Sequence, residues 1–389
     1  MKIVKGETRG RPGRWIVDFR DHDGKRHWET YRTQKEAKDA LAHRLEQLRK
    51  GTYREPAKIP TVKDAATAWL VAKQDRRPSS VAGDETHVTK HILPEIGGMR
   101  LDHVRVATVE QLREKLRQQL APRTVNKILA ALSAIFDHAI KHGHTEKNPA
   151  RVVDRLKLDT GQVALGSEAQ ARRKSGPRVT PDEVPSPEEV VRLLEAAGAG
   201  RDRVFFMLAT HTGAREGELL ALTWDDFDLD ERTVSIRRTV SWAKTQAERA
   251  AGLKGPRFYE PKTRAGRRVI ELPEELIPEL RRWKLACPPS RMGLVFPTLD
   301  GRPLHRRTLH KEGLAPALAA AKLRHFTVHS LRHFHASILI LKKTPITEVA
   351  ARLGHASPAV TMSVYAHFLR QVKGESTNAV VEALAAARR

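Results

Sequence analysis

A long break in hydrophobic periodicity near the middle of the chain prevents this sequence from folding as one domain. Residues 156–182 are rich in Gly, Ser, Pro and basic side chains, which is typical of an extended linker. Apolar residues recur at helical spacing before this segment. The helical pattern resumes at Ser186-Pro187-Glu188-Glu189, where a capping residue is followed by a helix start. The 389 residues are enough for two or three domains.

The charge balance indicates the class of partner. Lys and Arg number 70 against 46 Asp and Glu, which gives a formal net charge of +24. A field that positive attracts polyanions, and the release of counterions from DNA or RNA supplies affinity regardless of sequence. Ribosomal proteins and basic membrane-surface proteins share such a balance, although nucleic acid is the favoured partner. Charge alone does not specify a chemistry.

Several classes of protein are excluded by what the sequence lacks. No stretch approaches the roughly 18 consecutive apolar residues that a membrane span needs. The basic N-terminus has no apolar segment behind it, so no secretory signal is expected. The single cysteine, Cys287, excludes an internal disulfide framework and a cysteine-based zinc site, and a cytosolic location is the default expectation.

The first 55 residues have the pattern of a small α+β unit. Trp15–Arg20 alternates like a strand, Asp23-Gly24 is a hairpin turn, and Arg26–Tyr31 is a second strand. Thr33 is placed to cap a following helix. We expect a small three-stranded sheet plus a helix. Its basic and aromatic side chains suit binding in a DNA groove, or the aromatic rings form only its core.

Residues 61–155 predict an all-helical domain. Thr61 is a plausible cap for a first helix, and Asn126 to His142 is a second clear amphipathic helix. No catalytic pattern occurs here, and exposed basic residues are expected.

Two segments of the C-terminal part carry charged residues at a mostly apolar helix start and near a predicted hairpin tip. Arg215 lies at an otherwise mostly apolar helix start, with Glu218 one turn later on the same face. By itself this predicts a partly buried ion pair that holds a helix. Lys262 lies near the tip of a predicted hairpin that turns at Ala265-Gly266, and a basic hairpin tip indicates a DNA contact.

The next segment places His329 and Arg332 three residues apart near the N-terminus of a helix that Thr327 can cap. Such a position favours an anion. His329 and His333 also have the spacing of a metal pair. No acidic ligand lies between them and an arginine shares their face, so no metal site is predicted. Histidines that only satisfy core hydrogen bonds are the alternative.

The last segment contains His355 and Tyr365. Gly354 ends one helix, and Ser357 and Pro358 cap and begin the next, with Tyr365 on its second turn. A lone tyrosine on a helix usually belongs to a core.

Together the four segments resemble the tyrosine recombinase, or phage integrase, family. That family has an Arg in an A-R-x-x-E box, a Lys on a β-hairpin, an H-x-x-R box, a His or Trp, and a Tyr about ten residues later. TGAREGELLAL, PKTRAGRR, HSLRH and LGHAS match in wording and order. Ser330 replaces a common Asp, and Phe334 replaces a small residue. Residues 241–258 lengthen the connection to the hairpin, which leaves Lys254 as a weaker alternative to Lys262.

The resemblance implies roles for these residues. Displacement at a phosphodiester needs an in-line nucleophile, neutralised equatorial charge and a proton for the leaving oxygen. Arg215 and Arg332 fit charge neutralisation. Tyr365 is implied as the nucleophile, which forms a 3′-phosphotyrosine. The remaining expectations are His329 as base for Tyr365, Lys262 as acid for the 5′ oxygen, His355 as a hydrogen-bond donor to the phosphate, and Glu218 as an orienting residue.

The resemblance also implies a multidomain α+β architecture. We expect an arm-type DNA-binding domain over 1–55, a helical core-binding (SAM-like) domain over 61–155, the linker 156–182, and a mainly α catalytic domain with a small antiparallel sheet over 183–389. Its tail, Thr377 to Arg389, is predicted to be a helix that packs either on a neighbouring protomer or on its own domain. Candidate DNA-binding residues are Arg14, Arg20, Arg26, Arg264 and Arg267.

The implied partners are double-stranded DNA at attachment sites of core and arm types, further copies of the chain in a tetramer, and a host bending factor or excision factor. No cofactor, metal or membrane is expected, and the bacterial cytoplasm is the expected location. Alternatives are a type IB topoisomerase, a Xer-like resolvase, a catalytically silent DNA-binding regulator and a basic scaffold protein. The complete set of catalytic residue types disfavours a silent regulator. The accessory N-terminal domains and the LGHAS-to-Tyr365 wording favour recombination over a topoisomerase, and residues 1–55 favour an integrase over a Xer-like resolvase.

Overall fold

The computed structural model of the chain describes residues 2–9, 11–51, 53, 59–157, 179, 181–261, 263–366 and 368. The chain divides into two compact units, Met1–Leu158 and Asp159–Arg389. The predicted fold class is confirmed. A three-stranded sheet with a helix and a helical part make up the first unit, and helices with small antiparallel sheets make up the second.

The N-terminal sheet is antiparallel in the order β1-β2-β3, formed by Lys2–Lys5, Trp15–Arg20 and Arg26–Tyr31. Helix α1, Gln34–Arg49, follows it. Both strands that the alternation predicts are found at the predicted residues. Thr33 caps α1 as predicted, because its hydroxyl accepts from the backbone N–H of the third helical residue, whose carboxylate accepts in return. The small core comprises Val17, Phe19, Ala37, Leu48 and Tyr53.

The helical part of the first unit is built around one long amphipathic helix. This helix, α6, begins at Pro122, four residues before the predicted start, because proline suits the first helical turn. Its buried face includes Leu132, Ile135 and Phe136. The helices of this part are α2 Val62–Val71, α3 Pro78–His87, α4 Leu93–Ile96, α5 Val106–Gln119, α6 Pro122–Lys141 and α7 Pro149–Val152.

The second unit is mainly helical. Ser186 and Thr327 occupy the N-cap positions that the sequence predicts for two of its helices. The helices are α8 Pro187–Ala196, α9 Arg201–Thr212, α10 Glu216–Leu219, α11 Gln246–Ala250, α12 Leu276–Ala286, α13 Arg306–Thr308, α14 Ala315–Ala320, α15 Val328–Leu341, α16 Ile346–Leu353 and α17 Pro358–Val364.

The strands of the second unit form two sheets. One has the order β4-β5-β8, formed by Phe227–Asp228, Thr233–Ile236 and Arg268–Glu271. The other pairs β6, Thr239–Ser241, with β7, Arg257–Tyr259.

The single hairpin predicted around Ala265-Gly266 is therefore wrong, because β7 and β8 belong to different sheets. The long connection over 241–258, which includes α11, lets β6 and β7 pair with each other, while β8 pairs with β5. The turn between β7 and β8 is tight, since an added Cβ at Gly266 would lie 2.4 Å from Cβ of Pro261. Lys262 lies outside the described residues, and so does the predicted tail helix over 377–389.

Within the described ranges, no helix has both the length and the apolar character required to cross a bilayer.

Replacement of Phe136 by alanine should destabilise the helical part of the first unit. Phe136 is fully buried on α6, so truncation leaves a cavity, and the loss in free energy of unfolding should be about 3–5 kcal/mol. Amide hydrogen exchange along α6 measures this free energy without unfolding the second unit. Exposed Val152, replaced by alanine, is the matched control and should leave the protection of α6 unchanged. Equal protection in the two variants would contradict this core assignment.

Candidate active site

Arg332 joins three separate segments of the second unit. Its Nη1 donates to the carbonyl of Gly213 at 2.5 Å, and its Nη2 donates to the carbonyl of Leu353 at 2.8 Å. The same Nη2 lies 2.9 Å from Nε2 of His355. Only 3% of the residue is exposed. Burial, followed by the charge of Arg215, lowers the pKa of Arg332 to about 9, so the guanidinium is still charged at neutral pH.

Two glycines end helices at the points where backbone carbonyls accept hydrogen bonds from Arg332 and Arg215. Gly213 ends α9 in the left-handed region, at φ 59°, and an added Cβ would lie 2.6 Å from the ring of His335. Gly354 ends α16 at φ 65°. Its carbonyl accepts a hydrogen bond from Nη2 of Arg215 at 3.3 Å. These helix ends thus supply carbonyl acceptors to both arginines of the sequence motif.

Glu218 is buried between two arginines. Its carboxylate accepts from Nη1 of Arg215 at 2.9 Å and from Nη2 of Arg268 at 2.9 Å. Burial alone would raise the pKa of Glu218, but Arg268 and Arg215 outweigh it and hold the pKa below its usual range. The carboxylate is therefore ionised and orients both guanidinium groups.

Arg268 is a site residue that the sequence analysis missed. It starts β8, and its side chain is 7% exposed. Its Nε donates to the carbonyl of Arg352 at 2.6 Å, which ties the sheet to the end of α16. The signal was present in the strand alternation, since Arg268 stands two residues before buried Ile270 and so faces the same side.

His355 is held through both ring nitrogens. Its Nδ1 lies 2.7 Å from Oγ1 of Thr361, a buried residue of α17. An arginine can only donate, so Nε2 accepts from Arg332 and the proton is on Nδ1, which donates to Thr361. Thr361 is a second residue that sequence reasoning missed. Its spacing of four from Tyr365 on the same helix was the available signal.

Tyr365 is the C-cap of α17, one residue past the helical turns, rather than inside its second turn. Only 1% of it is exposed, and its ring packs in an apolar cluster that includes Ala336 and Leu353. Its hydroxyl lies 2.9 Å from Nδ1 of His333. The expected partner, His329, is one helical turn away from His333, with the two ring centroids 4.5 Å apart. In this structure the hydroxyl of Tyr365 therefore contacts His333, because the later residue of α15 is the one that faces the end of α17. The role of His329 as base stays a prediction.

The histidines near Tyr365, and Tyr365 itself, are neutral at neutral pH. Burial and the charges of the site lower the pKa of His333 to about 3 and the pKa of His355 to about 4. Desolvation and Arg332 also lower the pKa of His329 to about 4, although part of this residue is open to solvent. Burial raises the pKa of Tyr365 to about 12, with Arg332 acting in the opposite direction.

The predicted DNA-binding arginines differ in solvent exposure and in the partners that their side chains bind. Arg264 and Arg267 are exposed beside the β7–β8 turn, and Arg267 pairs with Glu260. In the first unit, Arg14 is exposed and Arg20 donates to the carbonyl of Gly24 at 2.7 Å. Arg26 is engaged by both carboxylate oxygens of Asp18, at 2.8 and 2.5 Å. Across the described part of the chain, no group of three or more His, Cys, Asp or Glu side chains is placed to hold a metal ion.

The comparisons with known proteins agree with this fold and these motifs. Residues 184–371 match the sequence model of the phage integrase family, and residues 62–155 match the phage integrase central domain. The chain belongs to the phage integrase family, the tyrosine recombinases, whose members cut and rejoin DNA.

Similar proteins span most of the chain. A XerC-like tyrosine recombinase of Caldanaerobacter subterraneus is 26% identical over 370 residues, covering 90% of this chain and 89% of that protein. An integrase of Streptomyces ambofaciens is 26% identical over 355 residues, covering 88% and 84% respectively. The ICEBs1 integrase of Bacillus subtilis is 24% identical over 308 residues, covering 75% of each.

Solved structures share the fold. The Tn1549 transposon integrase in complex with transposon right end DNA has a TM-score of 0.64 at 19% identity, covering 84% of this chain and all of that one. A lambda integrase tetramer bound to a Holliday junction has a TM-score of 0.55 at 16% identity, covering 96% of each chain.

Replacement of Glu218 by glutamine should destabilise the second unit. The change leaves Arg268 buried beside Arg215 without its counter-charge, so the free energy of unfolding should fall by about 3 kcal/mol. Hydrogen exchange in β8 and α10 measures the loss. Exposed Glu274, replaced by glutamine, is the control and should change it by less than about 0.5 kcal/mol. If both variants matched the wild type, the buried network would not be a stabilising element.

The second unit should lose stability in mild acid. The folded pKa values of His333, about 3, and of His335, about 4, lie below the reference of 6.5, so the unfolded chain binds more protons between these values. Stability is therefore complete above about pH 6.5 and falls as pH decreases, by roughly 2 kcal/mol for each buried histidine at pH 5. Hydrogen exchange with matched intrinsic rates at pH 7.5 and pH 5 tests this. A profile that is flat over this range would be inconsistent with neutral, buried histidines.

Proposed function

We propose that the chain is a site-specific integrase that cuts and rejoins double-stranded DNA through a 3′-phosphotyrosine at Tyr365, and so integrates or excises a phage genome or other mobile element. The observation that carries this proposal is the convergence of Arg215, Arg332 and His355 in one hydrogen-bonded network, with Tyr365 beside it. These residues come from four separate segments of the chain. A residue that only stabilised its own helix would not have to meet the other three, so their convergence indicates a shared site.

The two arginines stabilise the charge of the transition state. The Arg215 side chain is 43% exposed, so it can reach a phosphate while Glu218 holds its other face. Arg332 is fixed by backbone carbonyls, and the geometry is set before substrate arrives. Preorganised donors of this kind stabilise charge that develops on nonbridging oxygens without reorganisation at the moment of reaction.

The other site residues are assigned roles in proton transfer and in binding the phosphate. Lys262 is proposed as the acid for the 5′ leaving oxygen, since an ammonium group near other cations gives up its proton more easily. His355 is proposed to hydrogen-bond the scissile phosphate, which requires its proton to move to Nε2 when the phosphate replaces the contact with Arg332. His329 is the base for Tyr365 that the resemblance implies, and Glu218 is proposed as an orienting residue. Tyr365 is neutral at rest, and its proton must leave as the phosphorus–oxygen bond forms. Rejoining reverses these steps, so the bond energy stored in the phosphotyrosine suffices without ATP.

The rest of the chain is proposed to select the DNA site. Residues 1–55 act as an arm-type DNA-binding domain and residues 61–155 as a core-binding domain. Residues 156–182 are the linker to the catalytic domain, residues 183–389. The net charge of +24 supports binding to the DNA backbone. We propose assembly of four chains on two DNA duplexes, with a host bending factor or an excision factor as further partners, in the bacterial cytoplasm.

A Xer-like resolvase is the second candidate function, because the XerC-like relative covers 90% of this chain. The small sheet domain at the N-terminus favours an integrase, since it supplies a further DNA-binding surface. Recombination between an element's attachment site and a chromosomal site would support integration. Recombination only between two copies of one chromosomal site would support the resolvase.

Covalent capture on DNA tests the proposed function. Strand-nicked duplexes are tiled across the DNA that flanks the gene and incubated with wild type, Tyr365→Phe or Tyr259→Phe, a tyrosine of β7. A denaturing gel should show a DNA–protein adduct with wild type and with Tyr259→Phe, and none with Tyr365→Phe.

An adduct that persists in Tyr365→Phe would remove Tyr365 as the nucleophile. Tight, salt-sensitive binding to a tile that never yields an adduct would instead make the chain a silent DNA-binding regulator.

A further inference from the structure

His333 is the polar group that touches the reacting oxygen of the proposed nucleophile. Its Nδ1 lies 2.9 Å from the hydroxyl of Tyr365, a normal hydrogen-bond distance, and the two ring centroids are 5.7 Å apart. The tyrosine backbone is fixed as well, since its N–H donates to the carbonyl of Thr361 at 2.9 Å. Within the described residues no second side chain is recorded on that hydroxyl.

The surroundings of His333 bear on what it can do there. His329 and Arg332 face it from its own helix α15, His355 faces it from the turn after α16, and Tyr365 faces it from the end of α17. No carboxylate is among these neighbours, so the ring is a neutral imidazole with one donor and one acceptor nitrogen. A neutral phenol beside it can donate to the free lone pair of Nδ1, which requires the ring proton to be on Nε2.

The charge of Arg332 also acts on Tyr365, since it lowers the pKa of the phenol while burial raises it. Geometry comes first in identifying a general base, and His333 is within the required reach of the proton.

We propose that His333 is the general base that takes the phenolic proton of Tyr365 during DNA cleavage, in place of His329. This inference rests on the proposed function and adds to it a catalytic residue to which the family resemblance assigned no role.

The step balances in protons and bonds. The Tyr365 oxygen forms a bond to phosphorus, and the bond from phosphorus to the 5′ oxygen breaks with its electron pair on that oxygen. The phenolic proton passes to Nδ1 of His333, which becomes an imidazolium, and the 5′ oxygen takes a proton from the proposed acid Lys262. In rejoining, the 5′ hydroxyl attacks, its proton returns to the lysine, and the imidazolium returns its proton to the departing phenolate.

The proton moves together with bond formation rather than before it. The pKa of Tyr365 is about 12 and that of His333 is about 3, so transfer ahead of attack runs strongly uphill. As the oxygen bonds to phosphorus it becomes acidic, and the negative charge of the phosphate favours the imidazolium.

The first test needs no DNA. Long-range proton–nitrogen NMR on the full chain labelled at histidine reports the tautomer of each ring, and His333→Asn assigns the His333 signals by their loss. We expect the proton on Nε2 and a hydrogen-bonded acceptor at Nδ1 that changes in Tyr365→Phe. A proton found on Nδ1 would make His333 a donor to Tyr365 and overturn the proposal.

The second test is single-turnover cleavage of the tile that gives the adduct. The amide oxygen of asparagine branches from the same carbon as Nδ1, so His333→Asn keeps a hydrogen-bond acceptor but no usable base. We expect cleavage to slow by about 100-fold or more, whereas His325→Asn, at an exposed histidine before α15, should match wild type. A rate for His333→Asn within about threefold of wild type would reduce His333 to a holding role.

A sulfur substitution at the 5′ bridging position separates nucleophile activation from leaving-group protonation, because a thiolate leaves without an acid. The His333→Asn defect should persist on this substrate. Rescue would place His333 on the leaving oxygen and contradict the proposal. If wild type forms no adduct on any tile, the proposed function fails, and the tautomer measurement still decides the direction of the His333–Tyr365 hydrogen bond.

Discussion

The buried guanidinium of Arg332 is the interaction on which the geometry of the site depends. A charge with 3% exposure is costly unless its N–H groups find acceptors, and here they find Gly213, Leu353 and His355. Two of the acceptors are carbonyls at or beside helix C-termini, where the peptide dipoles favour a cation. One arginine thus links the ends of α9 and α16 to α15 and also contacts the ring of His355.

A second ionic cluster extends this arrangement to the sheet. Glu218 binds Arg215 on one side and Arg268 on the other, and Arg268 reaches the carbonyl of Arg352. The charge of Arg332 also interacts with this cluster, so three arginines act on one carboxylate and positive charge is in excess. This excess suits an anionic substrate. It also explains why the nearby histidines are held neutral, since burial and the same cations both disfavour their protonation.

Neutral histidines and a neutral tyrosine define the resting chemistry. Tyr365 sits at the end of α17 with its ring in an apolar cluster and its hydroxyl on His333. Burial therefore disfavours ionisation of the phenol at neutral pH. In the proposed reaction the arginines stay in place and the proton on Tyr365 moves.

The sequence by itself determined the local elements and the chemistry of the residues. Strands β2 and β3 and the caps at Thr33, Thr61 and Ser186 depend on neighbours within a few positions, where propensity and spacing act directly. The sequence also gives the order of the motif residues Arg215, His329, Arg332, His355 and Tyr365. Only the tertiary structure decided that Arg268 joins Glu218 from 50 residues away, that β7 and β8 enter different sheets, and that His333 rather than His329 meets Tyr365. These contacts depend on how whole helices and strands pack, and one helical turn in that packing exchanges one histidine for another.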